Sequence, residues 1–279
     1  MNYFSNSRLI SIAVAIFSLC GCSNPSGTSN QKDNALLQLD SISCADSIKD
    51  IVQSTITVKA DIVYPTFYKD KQNSKGIQSL FAQHILNIQE SDSFDIKKEI
   101  HQYSRDILEA YKMPPANEQI EETDKDEYTP TLRLDICQKI NVAYNDNGLI
   151  CFRKASEMRK NGKPTIQTNK YYTFDLNKMI RLTVPDIIQA EYQSEVNELL
   201  KQQLLKQEDV KSPSQLFDLG YFNIENLSVT NNFYFTPKSI IFVYEPYEIA
   251  CFALGETKIE LNFSDIETYL KDPNLVNNL

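Results

Sequence analysis

The spacing of hydrophobic residues along the chain changes several times, and each spacing predicts an element. From Ile51 to Val63, β-branched residues alternate with polar ones, which predicts a strand ending at Tyr64-Pro65. Two stretches with helical spacing follow, Ile77 to Ile88 and Ile96 to Tyr111, and Pro114-Pro115 closes the second. We therefore expect a strand followed by two amphipathic helices.

The middle of the chain has the period of strands. Leu132 to Tyr144 and Leu149 to Glu157 flank Asn147-Gly148, a dipeptide typical of a hairpin turn. Lys170 to Leu176 predicts a further strand.

The last third begins with a helical region opened by Pro185, whose apolar residues recur near one face as far as Leu204. Ser212-Pro213 predicts a short helix ending at Gly220. The later expected elements are strands at Phe233–Phe235, Ser239–Tyr244 and Lys258–Phe263, and a helix capped by Ser264 that runs through Leu270. Hairpins with helices between them indicate an α+β fold of antiparallel hairpins or sheet with packed helices. We expect two subdomains, at residues 36–180 and 181–279.

The amino terminus indicates export. Residues 1–21 resemble a secretory leader, with Arg8 ahead of an apolar run from Leu9 to Leu19 that is too short to cross a bilayer. The sequence Leu19-Cys20-Gly21-Cys22 is typical of a lipoprotein cleavage site, so Cys22 is the expected lipidation site. Acyl chains on Cys22 would anchor the chain in a lipid bilayer. Residues 22–35 are then a flexible tether. We expect an outer-membrane lipoprotein that faces the periplasm.

Composition narrows the range of partners. The 279 residues are 42% hydrophobic, enough for a substantial core, and the net charge is −9. Arg8 of the leader is among the basic residues, so the mature chain is more acidic still. An acidic chain disfavours nucleic acid and favours cationic partners through long-range attraction.

Candidate chemistry is sparse. The two histidines, His84 and His101, lie in predicted helices outside any catalytic motif, and the acidic run from Glu118 to Glu127 lacks the glycine of a calcium loop. The sequence therefore predicts no catalytic residue, no metal site, no cofactor and no enzymatic activity.

Four cysteines follow Cys22, without metal-binding spacing: Cys44, Cys137, Cys151 and Cys251. The sequence leaves two states open for these cysteines: disulfides, which an exported compartment permits, and free buried thiols. With a two- or four-residue hairpin loop, Cys151 pairs with Tyr144 or Val142. Cys137 should then point to the opposite sheet face, without a bond to Cys151.

The most distinctive segment runs from Asn232 to Leu270 and contains Pro246-Tyr247-Glu248-Ile249-Ala250 between two apolar strands. It resembles the C-terminal domain of a family of exported bacterial proteins. That family includes the extracellular part of RsiV-type anti-sigma factors, which bind lysozyme, and non-catalytic regions of some peptidoglycan deacetylases. Tyr64-Pro65 and Tyr172 to Leu176 resemble the companion N-terminal domain. The resemblance places the family's Gly-rich, His-containing loop at Arg159 to Asn169, but this stretch has one glycine and no histidine. A second departure is Cys251, which replaces a proline common in the family.

The resemblance implies a binding module. Its expected partner is a cationic cell-wall hydrolase of the lysozyme type, which the chain would inhibit, sequester or sense. A glycan- or peptidoglycan-binding accessory role is the alternative, and a cell-wall sugar hydrolase is a third hypothesis. The candidate binding surface is Tyr244, Glu245, Tyr247 and Glu248, with a structural corner of buried rings as the competing interpretation.

Overall fold

The computed structural model describes residues 37–49, 55–89, 93–111 and 133–273. The leader, Cys22, the expected tether and the acidic run from Glu118 to Glu127 lie outside these residues. Within them, no helix has both the length and the apolar character needed to span a membrane.

The described residues form a six-stranded sheet and a three-stranded sheet. Strands of the larger sheet lie side by side in chain order: β1 (Gln38–Lys49), β2 (Thr55–Phe67), β3 (Arg133–Asp146), β4 (Leu149–Lys160), β5 (Lys163–Asp175) and β6 (Ile180–Arg181). All neighbours are antiparallel except β2 and β3, which are parallel. Parallel neighbours need a long crossover, and the predicted helices lie in this connection.

The two predicted helices are confirmed as α1 (Lys71–Phe81) and α2 (Ile96–Ala110). Asp70 caps α1 and Asp95 caps α2, each carboxylate accepting backbone N–H groups of the first turn. A π-helical turn, Ala82–Leu86, extends α1. Their apolar faces cover one face of the large sheet, where Phe81 packs edge-to-face on Phe152 of β4 at 5.0 Å.

The predicted hairpin is confirmed as β3 and β4, with Asn147 and Gly148 both at positive φ. A second Asn-Gly turn, Asn161-Gly162, joins β4 to β5 in the same way. The expectation of a loop from Arg159 to Asn169 was therefore wrong. Those residues continue two paired strands, because the turn dipeptide allows the chain to reverse within two residues.

A β-bulge in β3 shows that the predicted sheet face of Cys137 was wrong. Tyr144 pairs with Cys151, but the register shifts at Ala143, so that Cys137 lies opposite Glu157. The extra residue turns Cys137 to the same sheet face as Cys151, not the opposite one. Six positions separate Cys151 from Glu157 along β4, about 20 Å. Both cysteines are accordingly free.

Strand β1 was not predicted, and β2 continues beyond the expected end at Tyr64-Pro65 to Phe67. β1 is an edge strand whose residues are exposed or only partly buried. Its sequence, QLDSISCADSIK, has too few apolar residues to show the alternation of a strand. Pro65 is accommodated beside a register irregularity between Gln38 and Leu39.

The last third forms a second core around the three-stranded sheet. Strands β7 (Phe233–Phe235), β8 (Ser239–Tyr244) and β9 (Thr257–Asn262) are antiparallel and match the prediction within one residue at each end. The helices are α3 (Val184–Ile187), α4 (Gln193–Gln207), α5 (Pro213–Asp218) and α6 (Phe263–Ile266). Helix α4 buries Val196, Leu200 and Leu204 against the sheet.

The cap of α6 is Asn262, not Ser264, and the helix is followed by a 3-10 turn from Glu267 to Tyr269. The sequence also placed the helical end at Leu270, one residue beyond that turn. The α+β class with packed helices, antiparallel hairpins and two subdomains is confirmed.

Candidate functional site

The segment that follows β8 makes a tight corner. Glu248 N–H donates to the Glu245 carbonyl at 3.0 Å, with Pro246 and Tyr247 between them, and Tyr247 has φ +70°. Proline at the second position and positive φ at the third are the features of a type II turn. Glycine or asparagine usually occupies the third position, so an aromatic residue there holds strained backbone.

The predicted surface residues separate into two groups. Tyr244 is a core residue, 4% exposed, whose hydroxyl donates to the Ser228 carbonyl at 2.7 Å. Burial raises the pKa of Tyr244. Its ring is therefore not available on the surface, contrary to the prediction. Ile240, Phe242 and Tyr244 alternate along β8 toward the core, a pattern that could have identified it.

Glu245 holds the corner in place. Its carboxylate accepts the Asn169 N–H at 2.8 Å and lies 2.6 Å from Lys170 Nζ. The Glu248 carboxylate accepts the Glu245 N–H at 2.9 Å and lies 4.0 Å from the same lysine. Glu245 therefore ties the corner to β5, and the more exposed Glu248 closes it.

Asn232 makes a second link to β5. Its side-chain oxygen accepts the Tyr171 N–H at 2.8 Å and its amide donates to the Asn169 carbonyl at 3.0 Å. Nearby, the ring of Tyr171 stacks on that of Tyr234 of β7 with centroids 4.6 Å apart. The corner is thus presented by a framework connected to both sheets.

Tyr247 remains exposed, at 69%, and its ring stacks on Phe252 with centroids 5.8 Å apart and planes at 26°. Phe252 begins a 3-10 turn, Phe252–Leu254, and is itself 47% exposed. Strained backbone therefore supports an exposed aromatic pair, a combination typical of recognition surfaces.

Further exposed apolar side chains lie on the segments beside the pair. The Cys251 N–H donates to the Gly220 carbonyl and the Phe222 N–H to the Ile249 carbonyl, both at 2.9 Å. This pairing brings the end of α5 beside the 3-10 turn. Of the ten large apolar side chains exposed among the described residues, five are on these segments, and we call them the apolar corner: Phe217, Leu219, Tyr247, Phe252 and Leu254.

The backbone pairing explains why Gly220 and Cys251 suit their positions beside the apolar corner. Gly220 has φ +102°, and a Cβ there would lie 2.9 Å from Cys251 Sγ, so a larger residue would clash. The Cys251 N–H makes a bond that proline, the residue expected here from the resemblance, could not donate. Sequence reasoning missed Phe217, Leu219, Phe252 and Leu254, because nothing local indicates that the two segments meet.

Acidic side chains border the apolar corner. Glu248 and Asp218 are exposed, in a chain of net charge −9. An apolar surface with an acidic edge complements a cationic protein that exposes apolar groups.

Other candidate chemistry lies elsewhere. His84 is half-buried in the π-helical turn against Phe174, and His101 is exposed on α2. Where the structure describes the chain, no three His, Cys, Asp or Glu residues are grouped closely enough to hold a metal ion.

The last third of the chain matches a known family profile. Residues 182–264 match a family profile described as a protein of unknown function, DUF3298. Among curated proteins, the comparison found no match.

Two solved structures share the fold. A DUF3298 family member from Bacteroides fragilis NCTC 9343 superposes with a TM-score of 0.69 at 21% identity, covering 88% of this chain and 98% of its own. A DUF3298 family protein from Pseudomonas aeruginosa PAO1 gives a TM-score of 0.55 at 11% identity, covering 85% of this chain and 95% of its own. At these identities the likeness shows a shared fold.

Proposed function

We propose that this chain is a membrane-tethered lipoprotein that binds a cationic cell-wall hydrolase of the lysozyme type as an inhibitor, decoy or sensor. The bilayer anchor is acylated Cys22, and the domain faces the periplasm from the outer membrane. The observation that carries the proposal is the strained, 69% exposed Tyr247 stacked on Phe252. The resemblance to the lysozyme-binding region of RsiV-type proteins supports the choice of partner.

Tyrosine and phenylalanine in a preformed arrangement supply contact area at a low entropic cost. The apolar corner provides the short-range contacts in this proposal. The acidic character of the chain acts earlier, because complementary fields raise the rate of encounter with a cationic protein. The proposal therefore separates a salt-sensitive association rate from a dissociation rate governed by aromatic contacts.

Kinetic binding of the full-length protein to immobilised lysozyme tests both parts. Between about 0.01 M and about 0.15 M salt the screening length falls from about 30 Å to about 8 Å, so association should slow markedly. Tyr247→Ala should speed dissociation at both salt concentrations. Tyr192→Ala is the matched control, since Tyr192 is also an exposed tyrosine beside another ring, Tyr269, at 5.4 Å. Absence of binding at about 0.15 M to every lysozyme class would eliminate the proposal.

A peptidoglycan-binding role is the second candidate, and the same exposed pair favours it, because a broad aromatic face can lie against a sugar ring. Retention of the full-length protein on purified peptidoglycan, lost in Tyr247→Ala and kept in Tyr192→Ala, would support this alternative. Binding to lysozyme without retention on peptidoglycan would instead support the lysozyme-binding proposal.

A further inference from the structure

In the described part of the chain, a line of polar contacts joins α2 to the edge strand β1. These contacts are, in chain order, Lys97 Nζ to Asp40 Oδ2 at 3.6 Å, His101 Nδ1 to Cys44 Sγ at 3.3 Å, and Ser104 Oγ to Asp46 Oδ2 at 3.0 Å. Ser104 is fully buried, so the last contact fixes how α2 sits on the strand. The thiol and the imidazole are thus held together by two elements 57 residues apart in the chain.

Cys44 is a reactive group in an apolar position. Every second residue of β1 faces the helices, and the neighbours of Cys44 on that face include Ile42, which packs against the same core. The thiol is half-buried, whereas His101 is exposed on the outer side of the contact. A disulfide arriving from solvent can therefore reach the sulfur beside the ring.

An open cleft of about 610 Å³ reaches the imidazole of this pair and is lined by Asp46, Lys98, Glu99, His101, Gln102 and Arg105. The lining holds two cations, Lys98 and Arg105, and two carboxylates, Asp46 and Glu99, which suits a polar ligand that carries both carboxylate and ammonium groups. Burial and the Asp46 and Asp61 carboxylates raise the pKa of the Cys44 thiol. Near neutral pH the thiol therefore needs a base to ionise, and Nδ1 of His101, 3.3 Å from the sulfur, is within reach of its proton.

We propose that Cys44 and His101 form a thiol-modification site for small disulfides that carry both carboxylate and ammonium groups. His101 Nδ1 takes the proton from Cys44, and the thiolate attacks one sulfur of the incoming disulfide. A new S–S bond forms to Cys44 as the incoming S–S bond breaks, and the departing thiolate takes the proton from the imidazolium. The products are a mixed disulfide on Cys44 and one free small thiol.

Oxidised glutathione is a suitable probe for the full-length protein in detergent, with the modified cysteines identified by mass spectrometry. Cys137 and Cys251, which are also free and only partly buried, are internal controls. At pH 7 Cys44 should react roughly tenfold faster than either, a modest effect for a positioned base. His101→Gln should remove this advantage and leave the other two rates unchanged. His84→Gln, the substitution of the other histidine, should have no effect.

The pH profile distinguishes base assistance from simple exposure. With His101 as base, the rate advantage of Cys44 over Cys137 and Cys251 should be largest near neutral pH and should shrink at alkaline pH, where thiols ionise without a base. Free imidazole in the buffer should restore part of the rate to His101→Ala. A Cys44 rate equal to that of the controls, or one unchanged by His101→Gln, overturns the proposal.

Discussion

The ring of Tyr247 lies on the ring of Phe252, five residues further along, although the backbone of Tyr247 must adopt positive φ to place it there. Backbone strain of this kind costs about 1–2 kcal/mol for a residue with a side chain. The strain supports an exposed contact surface rather than a core contact. Substitutions of Tyr247 should therefore affect stability and binding differently.

Comparison of glycine and alanine at Tyr247 tests the strained backbone. Both substitutions remove the ring, but only glycine adopts positive φ without strain. Tyr247→Gly should be more stable than Tyr247→Ala by about 1 kcal/mol in denaturant unfolding, while both lose binding to the same extent. Equal stability of the two variants would contradict positive φ at this position.

Gly220→Ala should destabilise the fold by about 1–3 kcal/mol, since it combines positive φ with a Cβ 2.9 Å from Cys251 Sγ. Gly162→Ala is the control, because Gly162 also has positive φ but nothing lies within 4 Å of the added Cβ. Thermal unfolding should show a clearly larger loss for Gly220→Ala. Adding Cys251→Ala should recover part of it, and additive effects would argue against the close approach.

Asn232→Ala removes both side-chain bonds to β5, leaving the Tyr171 N–H and the Asn169 carbonyl without this partner. Losing partners for buried polar groups costs about 1–3 kcal/mol each, so unfolding free energy should fall by at least that amount. Asn226→Ala, at an exposed asparagine bonded to Asn223, should change little. Comparable losses for both would show that the junction is not held by Asn232.

Lys154 should make stability depend on pH. It lies beneath the helices with Nζ donating to the Ile85 carbonyl at 2.8 Å, and desolvation lowers the pKa of Lys154 to about 8. Because the unfolded value is higher, near 10.5, the unfolded chain binds more protons between these two pH values. Stability should therefore rise relative to Lys154→Met between pH 8 and 9.5, by up to about 1.4 kcal/mol per pH unit. A constant difference between the two proteins across that range would mean that Lys154 is not desolvated.

The proposed lipid anchor leads to a separate prediction about Cys20 and Cys22, which lie outside the described residues. Cys22→Ala should abolish incorporation of labelled fatty acid and leave unprocessed precursor, because the proposed anchor places the acyl chains on the Cys22 thiol. Cys20→Ala should still be labelled and cleaved, since Leu19 directly before Cys20 fits the small-residue requirement poorly. Loss of labelling in Cys20→Ala alone would reassign the acceptor.

Local patterns in the sequence determined much of the fold. The turn at Asn147-Gly148, helices α1 and α2, and the last three strands follow from residues near one another in the chain, where dipeptide geometry and side-chain period suffice. The Asn161-Gly162 dipeptide carries the same turn signal, but it lies in the stretch where the resemblance placed a loop.

Only the tertiary structure decided the remaining features, because they depend on residues far apart in the chain. The pairing of β1 with β2, and of β2 with β3 in parallel, brings distant segments side by side. The bulge at Ala143 reversed the face of Cys137, since one extra residue inverts every alternation beyond it. Packing likewise buried Tyr244 and left Tyr247 exposed, and it brought the Cys44 thiol to His101. A sequence specifies which side chains are available, but contacts between distant segments determine which of them meet and which face solvent.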